Sequence, residues 1–347
     1  MTKDGLRQNA VSCGDGDANE ARLPSALVSA ASDYIAAARA PRTRKSYASA
    51  WAGFTGWCQR HGRQSLPASH ETIAAWMAGL ATARKSPATI NTYLAAVVVA
   101  HRTAGHTLDR KSPLLADVWK GIRNEAAHTQ RQARPLTASD LRSLLEGIGS
   151  TRLPDKRDSA LIALGWAAAL RRSELVGLDW HEPGTGSGTV TLDERGIVVT
   201  LARSKSSQTE AVTIVIPCQD MPAACCAISE WVRVAGLTPG QPVFRRIDHW
   251  EHVGSDRLSD RSVSRIIKAR VRFHAITRGK SEAEADELAT MCSGHSLRAG
   301  YATAAAQADL PTHRIMQHTR HKSAEMVNRY IRESDKWTKS GLKGVGF

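Results

Sequence analysis

Between Gly294 and Arg332 the sequence concentrates side chains that can move protons or hold anions: His295, Arg298, His313, Arg314, His318, Arg320, His321, Lys322, Arg329, Tyr330 and Arg332. His295 and Arg298 are three residues apart, so on a helix they share a face. An imidazole beside a guanidinium suits a phosphodiester in its transition state, one group shifting a proton and the other holding non-bridging oxygens. Tyr330 follows His321 by nine residues on a segment that reads as a helix from about Ser323. Its phenol could attack phosphorus once deprotonated and steadied by nearby cations. Each residue alone has a plainer reading: Tyr330 as a half-buried helix aromatic, Arg171 beside Arg172 as a surface pair, Lys205 as a solvated turn. Among the five tyrosines, Tyr301 is the one rival beyond residue 134, and its Ala-rich surroundings from Tyr301 to Ala306 suggest packing. His313, His318 and His321 could approach a zinc ion through i, i+3 geometry, but no Cys or carboxylate sits at ligand spacing, so no metal is expected.

The partner implied by this chemistry agrees with the charge. The chain has 47 Lys and Arg against 33 Asp and Glu, a net charge of +14, which attracts polyanions. From Tyr34 to Arg134 there are 15 Lys/Arg and 4 acids, and between Asp33 and Glu71 no acid at all, leaving Arg39, Arg42, Arg44, Lys45, Arg60 and Arg63 unbalanced. Nucleic-acid backbone is the expected partner for such a block. An apolar content of 42% excludes a disordered or collagen-like chain. No apolar run reaches the ~20 residues that cross a bilayer; the longest, Ala160 to Leu170, reads as a core helix. Lys3 and Arg7 are followed by polar residues, which argues against a secretory signal. The expected location is the cytoplasm of a bacterial or phage system, at the nucleoid, with no membrane partner. The six cysteines contain no C-x-x-C pair and are expected to be reduced thiols filling core space.

The elements that must position these groups are mostly helical. Residues 1–23 read as a disordered tail. From 24 to 125 the pattern is a helical bundle: Tyr47, Trp51, Phe54 and Cys58 share one face, followed by stripes of Ile73, Trp76, Met77 and Leu80, of Ile90, Leu94, Val97 and Val98, and of Leu114, Val118 and Ile122. Residues 126–135 are polar and unpatterned and read as a linker. Beyond Pro135, Thr137 is a plausible N-cap, and β-branched runs at 189–192, 197–201 and 212–216 predict a small three-stranded antiparallel sheet. Everything after Met221 reads as helix. The fold class is therefore mainly α with a small antiparallel β-sheet: an N-terminal helical bundle ahead of an α+β catalytic domain over 136–347, with a tail from about 331.

Three separated stretches carry a resemblance to a known family: A-L-R-R-S-E-L at Ala169–Leu175, Ser204-Lys205, and G-H-S-L-R-A-G at Gly294–Gly300 followed by H-x8-Y from His321 to Tyr330. In order and spacing they resemble the tyrosine recombinase (phage integrase) family, in particular its Cre-like type with a separate helical N-terminal domain, and the resemblance runs from about residue 24 to the end. It implies site-specific DNA strand cleavage and rejoining through a 3′-phosphotyrosine, on double-stranded DNA, by a homotetramer assembled on paired sites and without cofactor. It also implies roles: Arg171 and Arg298 clamping the scissile phosphate, Lys205 protonating the leaving 5′ oxygen, His295 transferring a proton near the nucleophile, His321 bonding a phosphate oxygen, Tyr330 attacking, and Glu174 orienting the cations. Arg42, Arg44, Lys45 and Lys85 are expected at DNA phosphates, with Thr89 and Asn91 at a helix start facing base edges. Two positions depart from the family, which often has Gly at the places held here by Ala169 and Arg320. If the second needs φ > 0, arginine costs about 1 kcal/mol or more. The spacing to Tyr330 selects His321 over His318 as the site histidine. Two other functions share some of these features: a DNA-relaxing or end-resolving enzyme acting on one duplex, and a non-catalytic regulator using Leu310–Tyr330 as a helix-turn-helix.

Overall fold

The structure, a computed structural model, describes residues 26–27, 29–30, 34, 38–126, 133–202 and 211–335. The chain divides between Thr129 and Gln130 into two compact units. The expected N-terminal tail, most of the expected linker, Ser204, Lys205 and the chain after Asp335 lie outside the described residues.

Among the described residues the first unit packs the helices α1 (Pro41–Arg60), α2 (His70–Thr82), α3 (Pro87–Thr103) and α4 (Pro113–Glu125). Pro stands at the start of three of them, where its missing N–H costs nothing. Ser69 and Ser86 cap α2 and α3, accepting hydrogen bonds from Thr72 N and Thr89 N. The core joins Phe54 and Cys58 of α1 to Ile73, Trp76 and Met77 of α2, Ile90, Leu94 and Val97 of α3 and Leu115 of α4. The last of these corrects the sequence reading, because Leu115 is buried and Leu114 is exposed. The buried face of α4 passes through 115, 118 and 122, one residue later at its first turn than expected. Buried His101 ties the bundle together, accepting from Ala68 N–H at 2.9 Å through Nε2 and donating through Nδ1 to the Val97 carbonyl.

The second unit begins with α5 (Ala138–Gly147), closed by a reciprocal Thr137–Asp140 capping box, and α6 (Leu153–Ala167), which is buried on nearly every side. After the short α7 (Arg172–Val176) come β1 (Leu178–Trp180), β2 (Gly188–Leu192), β3 (Gly196–Leu201) and β4 (Val212–Pro217). Among the described residues the sheet has four strands rather than the three expected, in the order β1-β2-β3-β4, with β1 parallel to β2 and the rest antiparallel. Leu201 pairs with Val212, so the segment carrying Ser204 and Lys205 joins two adjacent strands.

Helix α8 (Pro222–Ala235) follows, then a second departure from expectation, a separate hairpin of β5 (Arg245–Ile247) and β6 (Val253–Arg257) where helix was predicted. A third departure is a disulfide between Cys218, at the end of β4, and Cys225, in the first turns of α8. The turn between them folds back and brings their Cα atoms to 5.7 Å, within bridging range.

Helices α9 (Asp260–Thr277), α10 (Glu282–Met291), α11 (His295–Gln307), α12 (Thr312–Thr319) and α13 (Ala324–Asp335) complete the unit. Helix α11 organises this end of the fold because it is buried on two faces. Leu297 joins the main core with Leu161, Leu164, Leu175, Val263 and Trp231, while Ala302, Ala305 and Ala306 pack against Ile315 of α12 and Val327 of α13. Small residues on the second face let α13 approach closely, which brings Tyr330 towards the start of α11. Gly300 allows a similar approach on a third side: a Cβ there would lie 1.8 Å from the Leu136 carbonyl oxygen, which already accepts the Trp166 indole N–H. Backbone on one side and a buried indole on the other leave no room to relax. Gly300→Ala is therefore expected to destabilise the protein by about 3 kcal/mol, read as a lowered denaturant midpoint with unchanged slope; a midpoint equal to that of the unaltered chain would contradict the packing described.

Candidate active site

The turn from α6 into α7 sets the first arginine. Ala169 has φ +46°, and the chain then extends so that Arg171 becomes the N-cap of α7 with Glu174 at its third position. Arg171 N–H donates to Glu174 Oε2 at 2.8 Å and its guanidinium donates to Oε1 at 2.5 Å. The same guanidinium reaches the Arg320 carbonyl at 3.3 Å. Arg320 ends α12 with φ +57°. Both positions where the family often has Gly are thus left-handed here, at a strain of about 1 kcal/mol each. For Arg320 four hydrogen bonds offset it: Nη2 donates to Glu174 Oε2 (2.8 Å) and Ala169 O (3.0 Å), and Nη1 donates to His318 O (2.8 Å) and Ala168 O (3.2 Å).

Hydrogen-bond donors gather where the carbonyls of α6 run out, as expected at the negative end of a helix dipole. His318 Nε2 donates to Ala167 O at 2.7 Å, and Arg298 Nη1 donates to Ala169 O at 2.8 Å. His318 also stacks on Tyr301, with ring centroids 4.1 Å apart, and Tyr301 meets Trp166 edge-on. His318 and Tyr301 are thereby occupied in packing, and burial raises the Tyr301 phenol's pKa.

Tyr330, half-buried on α13, has its hydroxyl 3.2 Å from His295 Nε2 at the first residue of α11. His295 is accessible at the surface, yet partial desolvation together with Arg298, Arg171 and Arg172 lowers its pKa, favouring a neutral ring. Arg298 is 1% exposed, and its Nη2 is buried with no hydrogen-bond partner among the described residues. Burial, then Arg171 and Arg320, depress its pKa to about 9, against the pull of Glu174 and Tyr330. His321 is buried, stacks on Tyr330 at 6.0 Å between centroids, and has an unpartnered Nε2 among the described residues. Burial, then Arg298, Arg171, His295 and Arg320, lower its pKa to about 4. For Glu174, burial raises the pKa, but Arg320 and the Arg171 backbone and guanidinium outweigh it, so the carboxylate is held ionised. The result is a cationic pocket whose single paired carboxylate leaves donors aimed at an anion beside a phenol and a neutral imidazole.

The structure thus brings together Arg171, Glu174, His295, Arg298, His321 and Tyr330; Lys205 lies outside the described residues. No group of three or more His, Cys, Asp or Glu among the described residues could hold a metal.

Residues 134–336 match the family model described as the phage integrase family. The chain belongs to this family, the tyrosine recombinases. An integrase/recombinase xerD homolog of Selenomonas ruminantium is 34% identical over 304 residues, covering 86% of this chain and 83% of that protein. The recombinase cre of Escherichia phage P1 is 25% identical over 307 residues, covering 85% of each. A lambda integrase dimer solved bound to a COC′ core site shares the fold at 16% identity, with a TM-score of 0.51 over 92% of this chain and 97% of that one.

In this tyrosine recombinase the sequence reading missed Arg320 as a third guanidinium of the pocket; the only signal was a non-glycine residue where the family often has Gly. It also missed Thr319, which bonds His321 Nδ1 at 2.8 Å. In the N-terminal unit Arg42, Arg44, Lys45 and Lys85 are exposed. Thr89 shares its hydroxyl with Ser86 at the α3 cap (2.9 Å), and Asn91 Oδ1 accepts from Arg110 Nη2 at 2.7 Å. No helix among the described residues is long and apolar enough to cross a membrane.

Proposed function

We propose that this tyrosine recombinase cleaves and rejoins DNA at specific sites, with Tyr330 as the nucleophile. The observation that carries the reading is the 3.2 Å contact between His295 Nε2 and the Tyr330 hydroxyl beside a buried arginine with a free donor. Tyr330 Oη attacks the scissile phosphorus as His295 takes the phenolic proton. Arg171 and Arg298 hold the non-bridging oxygens with planar forks, Glu174 orients them and His321 adds a further bond. The P–O5′ bond breaks, and Lys205 protonates the departing 5′ oxygen. The 3′-phosphotyrosine keeps the bond energy, and a 5′-hydroxyl attacking it restores the diester, so the cycle needs neither ATP nor metal.

Double-stranded DNA is the partner, a reading supported by the basic surface and by the core-site DNA bound to the lambda integrase of the same fold. Strand exchange joins two duplexes and needs four active sites, hence a homotetramer on paired sites, with the chain beyond about residue 331 docking on a neighbour. The cytoplasm is its location. The test is covalent trapping: a duplex nicked near the cleavage point should yield a protein–DNA adduct on a denaturing gel, in EDTA and without nucleotide. Absence of any adduct on a site that the protein binds would contradict the proposal.

The N-terminal unit supplies phosphate contacts through Arg42, Arg44, Lys45 and Lys85, with Thr89 and Asn91 nearest to base edges. With ~6 phosphates neutralised in all, the logarithm of the binding constant should fall against the logarithm of salt with a slope of about −5. Charge-neutral replacements of those four cations should flatten the slope towards −2; an unchanged slope would remove them from the interface.

A further inference from the structure

The pairing of Thr319 with His321 has a chemical consequence that resting geometry alone reveals. Thr319 is fully buried in the last turn of α12. Its hydroxyl lies 2.5 Å from the Ile315 carbonyl, which can only accept, so the single hydroxyl proton goes there. Towards His321 Nδ1, at 2.8 Å, the same oxygen must then accept, which puts the proton of the neutral ring on Nδ1. Nε2, buried and unpartnered among the described residues, is left as a lone pair. A lone pair repels a phosphate oxygen; only a doubly protonated ring can donate through Nε2 while still donating through Nδ1.

We propose that Thr319 is a positioning residue for His321: by fixing its Nδ1–H tautomer it makes engagement of a phosphate anion at this site depend on uptake of a proton at Nε2. The inference rests on the reading of the pocket as a phosphoryl-transfer site. The groups facing His321 are Arg298 and His295 from α11, Arg171 before α7, Arg320 beside it in the chain and the Tyr330 ring from α13. Burial and the guanidiniums of Arg298, Arg171 and Arg320 keep the ring neutral in the free protein, and an anion held among them reverses the balance. Bound phosphate therefore raises the ring's pKa. Protons are taken up on binding at pH values between the bound midpoint and the free one near 4, and affinity rises as pH falls through that window.

The tests use the full chain labelled with 15N-histidine, the His321 signals being assigned by their loss in His321→Gln. The free protein should carry the Nδ1–H tautomer. Inorganic sulfate, a non-titrating stand-in for the phosphodiester, should shift the His321 midpoint upward by a unit or more relative to chloride at equal ionic strength. Thr319→Val, equal in shape but without the acceptor, should populate the Nε2–H tautomer, whose neutral ring already donates through Nε2, and lose most of the sulfate-induced shift. Thr319→Ser should retain the wild-type tautomer and shift. An Nε2–H tautomer in the unaltered protein would overturn the inference, whether or not the valine variant folds. So would a serine variant lacking the shift. Neither result touches the assignment of Tyr330, which trapping on a nicked duplex tests separately.

Discussion

Replacing Arg298 with alanine is expected to slow covalent adduct formation by a factor of about 10² to 10³, the loss seen when a preorganised donor to developing charge is removed. The size of the effect follows from where the side chain sits. Arg298 is 1% exposed, one nitrogen donates to the Ala169 carbonyl and another, buried, has no partner among the described residues. Its charge is already disfavoured by burial and by Arg171 and Arg320. An incoming phosphate relieves that cost, and a phosphorane-like transition state with more negative charge relieves it further, so the interaction strengthens during the reaction rather than only on binding. Arg171 has 38% of its side chain exposed and shares Glu174, so its replacement should cost less than that of Arg298. Lysine at 298 should not restore the rate, because one ammonium cannot reach both the Ala169 carbonyl and a phosphate with the planar geometry of the fork. The measurement is the single-turnover rate on a nicked duplex at saturating protein, so that weakened binding does not enter. An Arg298→Ala rate within about threefold of wild type, against the 10²-fold loss expected, would remove this residue from the phosphate site.

How much of this was legible in the sequence varied with the physics of each element. The site was readable because its chemistry needs particular residue types: the three-residue step from His295 to Arg298 and the nine-residue step from His321 to Tyr330 survive any detail of packing. The bundle stripes were readable for the same reason, since burial imposes a helical period. Leu114 and Leu115 are both apolar and adjacent at a helix start, so the pattern could not say which turns inward. The β5–β6 hairpin escaped because Arg245–Ile247 and Val253–Arg257 are short and charged, with strand pairing set by their neighbours rather than by alternation. The Cys218–Cys225 bridge depends on a reversal after β4 that residue spacing does not encode. Arg320 was hidden by a general rule, because a left-handed arginine is disfavoured unless tertiary hydrogen bonds compensate, and those bonds come from Glu174 and the end of α6, about 150 residues earlier. Thr319 was hidden because its effect is carried by one hydrogen-bond direction.

The central claim is that Tyr330 is the nucleophile, and replacing it with phenylalanine tests that most directly. The change removes one oxygen and keeps the ring that stacks on His321 and packs with Ile315 and Val327. Stability and DNA affinity should therefore stay close to wild type, while His295 loses the hydroxyl 3.2 Å from its Nε2. No other phenol is available nearby: Tyr301 is stacked on His318 and against Trp166, with its ionisation opposed by burial. On a nicked duplex that both proteins bind, the wild type should form a covalent complex resistant to denaturant and released by protease, and Tyr330→Phe should form none. An adduct formed by the phenylalanine variant at a rate comparable to wild type would contradict the account.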